Sequence, residues 1–305
     1  MTLQEKSKQL KYIKNNLEIT LNLSKVIQSI YEDEILKNSI VLKGGAAVQI
    51  YLQDFKRLFF DLDIDFISNT LSREDFKNYL INHLINLGYN EPNQRKNRLS
   101  YSLDSFQLPY YLENKNLTYL ILDINYSYNP HLYNPTQISI CNKDFNLEQI
   151  VSLVNLEELI GLKIAALKDR GRPKDLFDIY QILNSNLSFD LERIKAVYIY
   201  YMTIANNEDK IEKIDKITEI TNYNIKKNLY PIIKKNSNPN LEKMKKEVLD
   251  YIMECSILTK EQEQFITNFK KGYNNPEYLF KDEQVIENAI NNPIAKWKIK
   301  LIRRK

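Results

Sequence analysis

The sequence predicts an α+β domain over residues 1–188, followed by a helical bundle domain over residues 189–305. Two observations support this prediction. In the first part, short alternating or β-branched apolar segments lie between segments with a helical pattern. After about Leu191, almost every segment has the helical period, which is typical of a separate layer of helices.

The first predicted elements are helices and one short strand. The first 36 residues carry apolar residues at helical spacing and predict one or two helices. The partly β-branched run at residues 40–42 predicts a strand that ends at Gly44-Gly45. Residues 46–52 then predict a helix.

Strands are prominent in the next segment. Alternation over residues 59–67 predicts a strand. Ser72 is a typical N-cap for a helix that ends near Gly88. Further strands are predicted at residues 100–106, 118–126 and 137–141.

The rest of the chain is predicted to be helical. Asn155 is expected to cap a helix that ends near Gly171, and Pro173 begins another. The later helices are interrupted at three places, namely Pro231, residues 236–240 and residues 274–276.

Composition excludes several classes of protein. The 305 residues are 43% hydrophobic, which is too apolar for a disordered chain. No apolar run approaches the roughly 20 residues of a spanning helix, and the N-terminus lacks an apolar secretion signal, so a cytoplasmic protein without membrane contact is expected. Two cysteines and two histidines argue against a disulfide framework, a zinc site or histidine clusters. Chemistry based on carboxylates and lysines is therefore expected.

Charge is distributed unevenly. Residues 1–190 contain 21 basic and 23 acidic residues, a net charge of −2, whereas residues 191–305 contain 22 and 16, a net charge of +6. The basic C-terminal part is compatible with an anionic partner such as RNA, although a solvated lysine-rich helical surface would give the same count.

Three aspartates mark the predicted strand at residues 59–67. Because side chains alternate along a strand, Asp61, Asp63 and Asp65 share one face, opposite an apolar face. Aspartate is a poor strand former and aligned like charges repel, so a divalent cation is the expected compensation. A solvent-facing polar strand is the alternative interpretation.

A glycine turn and a further aspartate extend this candidate site. Gly44-Gly45 ends one strand and begins a helix, where backbone N–H groups can approach phosphate, although paired glycines are most often only a tight turn. Asp123 lies in a very apolar strand, where a lone charge is costly. With Asp61 and Asp63 it would complete a three-carboxylate site for two metal ions; a salt bridge to a basic residue is the alternative.

The helix after Asn155 carries basic residues on its apolar face. Lys163 lies in the middle of this face, and Arg170 lies one heptad further along. We interpret both as cations for nucleotide phosphates; a lysine that extends to the rim of the core is the alternative. In the next helix, Asp178 is expected off the apolar face together with Lys174 and Asp175, and Lys174 could pair with Asp178.

Taken together, these segments resemble the AbiEii-type nucleotidyltransferase toxin family of type IV toxin–antitoxin and abortive-infection systems. The resemblance rests on short motifs in series: Leu42-Lys43-Gly44-Gly45-Ala46-Ala47, Arg57-x-x-x-Asp61-Leu62-Asp63, Leu122-Asp123-Ile124, and Lys163-x-x-Ala166-Leu167-x-x-Arg170-x-x-x-Lys174-Asp175-x-x-Asp178. A C-terminal Asn292-Pro293-x-x-x-Trp297-Lys298 is also similar to the tail of the family.

The resemblance implies a polymerase-β-like nucleotidyltransferase domain followed by a helical domain. It implies transfer of a nucleoside monophosphate from NTP with two Mg²⁺ ions, and a cognate antitoxin as partner. The expected metal ligands are Asp61, Asp63 and Asp123. Lys163 and Asp178 are implied as further catalytic residues. The residues expected to contact the nucleotide are Lys43, Gly44, Gly45, Arg57, Lys163 and Arg170.

The implied acceptor is RNA, specifically the 3′ end of tRNA. Two alternatives remain open: nucleotidylation of a small molecule or protein, and a non-catalytic nucleotide- or RNA-binding module with a decayed site. The second alternative arises because Ala46 and Phe59 occupy positions where the family usually has a hydroxyl side chain.

Overall fold

The computed structural model describes residues 1–95 and 102–304. Within these ranges the chain folds into two units. The first unit comprises the described residues of Met1–Asn129, Pro135–Leu153 and Tyr230–Ser237. The second comprises those of Pro130–Asn134, Val154–Leu229 and Asn238–Lys305. These units divide the chain before the predicted domain boundary at residue 188, which stays a proposal.

The first unit is a sheet with helices between its strands. Its helices are α1 (Leu3–Leu10), α2 (Lys14–Glu32), α3 (Glu34–Lys37), α4 (Gly44–Tyr51) and α5 (Arg73–Asn86). Its strands are β1 (Ile40–Lys43), β2 (Asp61–Phe66), β3 (Asn93–Arg95), β4 (Leu103–Tyr111), β5 (Leu117–Asn125), β6 (Thr136–Asn142) and β7 (Leu147–Leu153). The predicted α+β character is confirmed.

The described strands form one sheet in the order β3-β4-β5-β2-β1-β7-β6. The central strand β2 runs antiparallel to β1 and parallel to β5. Its apolar face is fully buried, since Leu62 and Ile64 have no exposed surface, and the same holds for Leu122 and Ile124 on β5. Burial of these side chains holds the opposite, acidic face in a fixed register.

The strand predictions had three different outcomes. Those at residues 59–67, 118–126 and 137–141 are confirmed as β2, β5 and β6. The strand predicted at residues 100–106 overlaps β4, but residues 100 and 101 lie outside the described residues. Strands β3 and β7 were not predicted, because neither has an alternating pattern.

The first unit also contains a returning segment, Tyr230–Ser237. The backbone N–H of Leu58 donates to the carbonyl of Ile232 at 2.7 Å, and Arg57 forms an isolated antiparallel bridge with Ile233. The N–H of Lys235 donates to the carbonyl of Lys11, also at 2.7 Å. These main-chain bonds make residues far along the sequence part of the first unit.

The second unit is helical in its described residues. Its helices are α6 (Leu156–Arg170), α7 (Pro173–Leu183), α8 (Leu191–Ile204), α9 (Asp215–Thr218), α10 (Asn222–Asn228), α11 (Leu241–Ser256), α12 (Lys260–Lys270), α13 (Glu283–Asn291) and α14 (Pro293–Ile302). The predicted N-cap is confirmed, since Oδ1 of Asn155 accepts from the N–H groups of Glu157 and Glu158. None of the helices in the described chain combines the length and apolarity needed to cross a bilayer.

Candidate active site

The acidic face of β2 lies in the middle of the sheet of the first unit. In the register, Asp63 is the direct neighbour of Lys43 on β1 and of Asp123 on β5. Because neighbouring strands lie about 4.8 Å apart, these three side chains form one row across the sheet. Asp61 belongs to the same face as Asp63, two residues earlier. We call Asp61, Asp63 and Asp123 the carboxylate face.

Asp65 differs from the other two aspartates of β2, because its side chain is fully buried. The amine of Lys43 forms an ion pair with this carboxylate and lies 4.5 Å from the centre of the Tyr128 ring. Burial alone would lower the pKa of Lys43, but the Asp65 carboxylate outweighs it and raises the pKa above its usual value. Lys43 is therefore held as a cation at the edge of the carboxylate face.

The twin-glycine turn packs directly against the aspartates. Gly44 has a φ of +65°, and a Cβ added there would lie 2.6 Å from Cγ of Asp63. A Cβ added at Gly45 would lie 2.6 Å from Nη2 of Arg57. A side chain at either position would require the Asp63 carboxylate or the Arg57 guanidinium to move, and at Gly44 the positive φ adds backbone strain. The predicted proximity of the glycine turn to Asp63 is thus present in the fold.

Arg57 lies beneath this turn and is only 3% exposed. Its Nη1 donates to the carbonyl of Leu58 at 2.9 Å, and its backbone N–H donates to Oε1 of Gln49 at 3.1 Å. Arg57 was predicted to contact the nucleotide. Its burial against Gly45 gives it a clear role in supporting the turn, and direct nucleotide contact stays a prediction.

Asp123 has a carboxylate oxygen that lacks a hydrogen-bond donor. Its Oδ1 is buried and accepts no hydrogen bond from the described residues. A buried carboxylate oxygen of this kind is costly unless a cation or an acidic proton meets it. Its register partner on β4 is Ser105, a buried residue that the sequence interpretation did not select. The strand pairing, which the sequence does not give, was needed to find it.

The carboxylate face was tested as a metal site. Carboxylate oxygens are the donors that Mg²⁺ prefers, and the buried Oδ1 of Asp123 is in register with Asp63, so the donor set fits a divalent cation. Within residues 1–95 and 102–304, however, no three His, Cys, Asp or Glu side chains are arranged as a group that could hold an ion. The metal ligands therefore stay a proposal based on chemistry and register.

In the second unit, Lys163 is part of a buried charged cluster. Its amine donates to Oδ2 of Asp178 at 2.8 Å and to Oδ1 of Asp175 at 3.2 Å. Lys163 is 8% exposed, Asp175 1% and Asp178 0%. The prediction that Lys163 lies on the inward face of its helix is confirmed. Lys163 pairs with both carboxylates in a setting where unpaired charge would be strongly destabilising.

Two details of the sequence interpretation in this region were wrong. Asp175 and Asp178 were expected away from the apolar face, but both are buried with Lys163. Arg170 was expected on the inward face, but it is exposed, and its Nη2 lies 3.5 Å from Oδ2 of Asp175. A wheel drawn from apolar residues alone cannot find carboxylates that are buried because a lysine neutralises them.

A second buried polar network was missed by the sequence interpretation. Oε1 of Glu158 accepts from the hydroxyl of Tyr201 at 2.6 Å and lies 3.1 Å from Nδ1 of His131, while Oε2 accepts from the N–H of Tyr133 at 3.1 Å. Burial would raise the pKa of Glu158, but His131 and these hydrogen bonds lower it below its usual value. The network fixes residues 131–133 to α6 and α8.

A cavity of about 590 Å³ in the second unit contains none of the predicted site residues. It is lined by residues of α8, α12 and the segment before α13, including Arg193, Gln262 and Phe280. The guanidinium of Arg193 stacks on Tyr133 at 4.1 Å from the ring centre.

Comparison with known proteins decides the family. The family model "Nucleotidyl transferase AbiEii toxin, Type IV TA system" matches residues 26–267. This chain belongs to the AbiEii family. The family resemblance is thereby confirmed, and the chain is a nucleotidyltransferase toxin of a type IV toxin–antitoxin system, which implies NTP as substrate and an antitoxin as partner. No curated protein matches the sequence.

Two solved structures align with this AbiEii chain. The nucleotidyltransferase toxin MenT4 from Mycobacterium tuberculosis H37Rv is 11% identical, has a TM-score of 0.66, and aligns over 96% of this chain and 99% of its own. An antigenic nucleotidyltransferase-like protein from Paracoccidioides brasiliensis is 13% identical over 77% of this chain and 94% of its own, with a TM-score of 0.36. The likeness to MenT4 confirms the predicted fold class.

The two departures from the AbiEii pattern are both buried apolar positions. Ala46 is 1% exposed in the first turn of α4, and Phe59, two residues before β2, is also 1% exposed. The Phe59 ring packs edge-on against Phe55 with ring centres 5.6 Å apart. The Phe59 side chain is part of the core of the first unit. At both Ala46 and Phe59, apolar packing takes the place of the hydroxyl side chain that is usual in the family.

Proposed function

We propose that the carboxylate face carries out the transfer of a nucleoside monophosphate from NTP to a hydroxyl of RNA, and that the acceptor is the 3′ end of tRNA. The single observation that supports this most is the row of Lys43, Asp63 and Asp123 beside the twin-glycine turn. Glycine backbone and a lysine suit phosphate, and adjacent carboxylates suit divalent cations.

The chemistry assigned to this chain's residues follows from their surroundings. Asp123, whose Oδ1 has no donor among the described residues, takes the proton of the acceptor hydroxyl. The acceptor oxygen then forms a bond to the α-phosphorus, and the bond between that phosphorus and the pyrophosphate oxygen breaks. Pyrophosphate leaves with the electron pair of that bond. Lys43 and the N–H groups of the glycine turn stabilise the negative charge on the phosphates.

Two Mg²⁺ ions are the proposed cofactors, with Asp61, Asp63 and Asp123 as their ligands. When bound, they would supply positive charge against the triphosphate and a template for in-line displacement. The strand register places these carboxylates on one face of neighbouring strands. Carboxylate oxygens are the ligands that divalent cations such as Mg²⁺ prefer.

Lys163, Arg170 and Asp178 are proposed as further residues of the reaction on the strength of the family motif. In the fold, Lys163 is bound to Asp175 and Asp178, so removing it affects stability as well as any contact with phosphate. Activity losses at these positions therefore have to be read alongside the free energy of unfolding.

Toxicity follows from the proposed acceptor. A tRNA with an altered 3′ end cannot be aminoacylated, so translation stops. Because tRNA and NTP are cytoplasmic, the cytoplasm is the proposed location. The two cysteines, Cys141 and Cys255, are free thiols, as expected in a reducing compartment.

The test uses the purified full-length protein with each α-labelled NTP, Mg²⁺ and total cellular RNA. Label in a discrete band of tRNA size supports the proposal, and EDTA should abolish it. Asp63→Asn and Asp123→Asn should reduce labelling at least about 100-fold, since each removes charge that positions the reacting groups. Asp250→Asn, an exposed aspartate on α11, is the matched control and should label normally.

Two outcomes would contradict the proposal. If Asp63→Asn and Asp123→Asn label RNA as well as the wild type does, the carboxylate face is not the catalytic site. Label that appears in protein or in small molecules, with RNA unlabelled, would favour the alternative acceptors.

A further inference from the structure

The C-terminal helix has an unusual charge pattern. The chain contains no acidic residue after Glu287, yet its last ten positions include six lysines and arginines. Lys296 and Lys300 on α14 are exposed to solvent, as are Arg303 and Arg304 directly after it. Among the described residues, Lys296, Lys300 and Arg304 form no ion pair with a carboxylate. These cations are therefore available to an anionic partner.

Two large aromatic side chains lie beside these cations. Trp297 on α14 is 56% exposed, and Tyr273, in the turn after α12, is 59% exposed. The Lys298 amine lies 5.3 Å from the Trp297 ring centre, and the Arg303 guanidinium lies 5.8 Å from that of Tyr273. We call this set the C-terminal patch: Tyr273, Lys296, Trp297, Lys300, Arg303 and Arg304.

Helical geometry places the aromatic ring between charges. Lys300 and Leu301 follow Trp297 at spacings of three and four residues, so all three lie on one face of α14, and Arg304 lies two residues beyond the end of the helix at Ile302. The opposite side contains Ala295, which is fully buried. The exposed face therefore presents an aromatic ring beside cations, and it is not a purely apolar face that would pack against another apolar surface.

The patch is held in place at both ends of the helix. Oδ1 of Asn292 caps α14 by accepting from the N–H groups of Ile294 and Ala295. Near the other end, Nε of Arg303 donates to the carbonyl of Gly272 at 2.9 Å, which ties α14 to the turn that carries Tyr273. Both aromatic rings are therefore presented by a preorganised surface, which lowers the entropic cost of binding.

We propose that the C-terminal patch binds single-stranded RNA. Unpaired bases stack on Trp297 and Tyr273, while the backbone phosphates pair with Lys296, Lys300 and Arg304. Alternating aromatic and cationic groups are what sequence-tolerant binding of single strands requires. The inference rests on the proposed function, because it specifies where an RNA acceptor is held in addition to the carboxylate face.

A membrane surface is the main competing partner for a basic helix with a tryptophan. Membrane-bound helices separate an apolar face from a cationic face. Here Trp297 shares its face of α14 with Lys300, Arg304 follows shortly after the helix, and the small apolar Ala295 is buried. This mixing of aromatic and charged groups favours RNA.

Trp297 provides its own probe, since it is the chain's one tryptophan. Titration of the full-length protein with a short single-stranded RNA, in the absence of NTP, should quench its fluorescence. Lys300→Gln/Arg304→Gln should weaken this binding and reduce the salt dependence, because each lost phosphate contact lowers the slope of log K against log salt by about 0.7. A duplex of the same sequence should quench less, since its bases are already stacked.

The aromatic contribution is measured with labelled RNA by anisotropy. Trp297→Ala should weaken binding by roughly 5- to 150-fold, the range expected for loss of one base stack. The exposure of Trp297 predicts that the variant folds, which circular dichroism verifies. Helix α10 offers a matched control, because Tyr223 is 68% exposed and Lys227 lies 5.9 Å from its ring. Tyr223→Ala and Lys226→Gln/Lys227→Gln should bind RNA normally.

The outcomes separate clearly. Unchanged RNA affinity in Trp297→Ala and Lys300→Gln/Arg304→Gln, or equal losses in the α10 controls, would overturn the inference. Binding to vesicles containing phosphatidylserine, without binding to RNA, would also overturn it. Because NTP is absent, loss of binding is distinguishable from failure of the proposed transfer: an Asp63→Asn protein should bind RNA through the patch and yet label none.

Discussion

Replacing Gly44 by alanine is the sharpest test of the site geometry. Gly44 has a φ of +65°, and its missing side chain leaves the space that the Asp63 carboxylate occupies. Gly88 offers a matched control in the same unit. It has a φ of +97°, but nothing lies within 4 Å of a Cβ added there. The two substitutions therefore share backbone strain, and only Gly44→Ala adds a steric conflict.

The structure allows the two effects to be estimated separately. In the folded state, a positive φ destabilises alanine relative to glycine by about 1–2 kcal/mol. Alanine also reduces the conformational entropy of the unfolded chain, which offsets about 0.4–1 kcal/mol of this cost. Gly88→Ala should therefore lower the free energy of unfolding by about 0–1.5 kcal/mol. Gly44→Ala should lower the free energy of unfolding by about 1–3 kcal/mol more than Gly88→Ala does. The reason is that an added Cβ would lie 2.6 Å from Cγ of Asp63, so one of the two must move.

Activity should separate the variants further. A shift of about 1 Å in a reacting group can cost about 100-fold in rate, so Gly44→Ala should lose at least that much nucleotide transfer. Gly88→Ala should retain wild-type rates. Urea unfolding and labelling with α-labelled NTP measure the two quantities. Equal stability and equal activity for the two variants would refute the placement of the glycine turn against Asp63.

Three further predictions concern buried charges of the second unit. Lys163→Met should lower the free energy of unfolding by about 3–5 kcal/mol, because it leaves two buried carboxylates without their lysine. Adding Asp178→Asn should restore part of the lost stability. A melting curve of Lys163→Met equal to that of the wild type would contradict this prediction. Burial lowers the pKa of Lys168 to about 8 in the folded state, below its unfolded value of about 10.5. Between these two pH values the unfolded state binds more protons than the folded state. Lys168 should therefore make the free energy of unfolding rise with pH over that window. The difference between the wild-type and Lys168→Met stability curves isolates this rise from other titrating groups, and parallel curves would refute it. Glu158→Gln should lower the free energy of unfolding by about 1.5–3 kcal/mol at pH 7. Because the pKa of Glu158 is lower in the folded state than in the unfolded state, this difference from the wild type should shrink as the pH falls below about 4.5. A difference that stays constant in acid would refute the prediction.

The faces of individual strands could be predicted from sequence, but their neighbours could not. The period of two is a local property, so alternation placed Asp61 and Asp63 on one face. The pairing of Asp63 with Asp123 joins strands that lie 60 residues apart in the chain, and only the fold fixes their parallel register. Ser105 was missed for the same reason, because only the strand pairing places it opposite Asp123.

Burial of charge was the other limit of sequence interpretation. Lys163 was found because a lysine interrupts an apolar helical face. Asp175 and Asp178 were misplaced, because carboxylates become buried only when a cation from another helix meets them. Strand β7 was missed because its apolar residues do not alternate. Local patterns therefore predict elements, while charge compensation depends on tertiary contacts.

The returning segment Tyr230–Ser237 has a consequence for how the protein is made. Ribosomes synthesise a chain from its N-terminus, so the partners of Leu58 and Lys11 are absent until residues 232 and 235 have been added. The first unit cannot complete these main-chain bonds while the nascent polypeptide is shorter than this. A polypeptide truncated at residue 188 would lack them permanently. Completion of the toxin's carboxylate-bearing part is thereby delayed until residue 235 has been added.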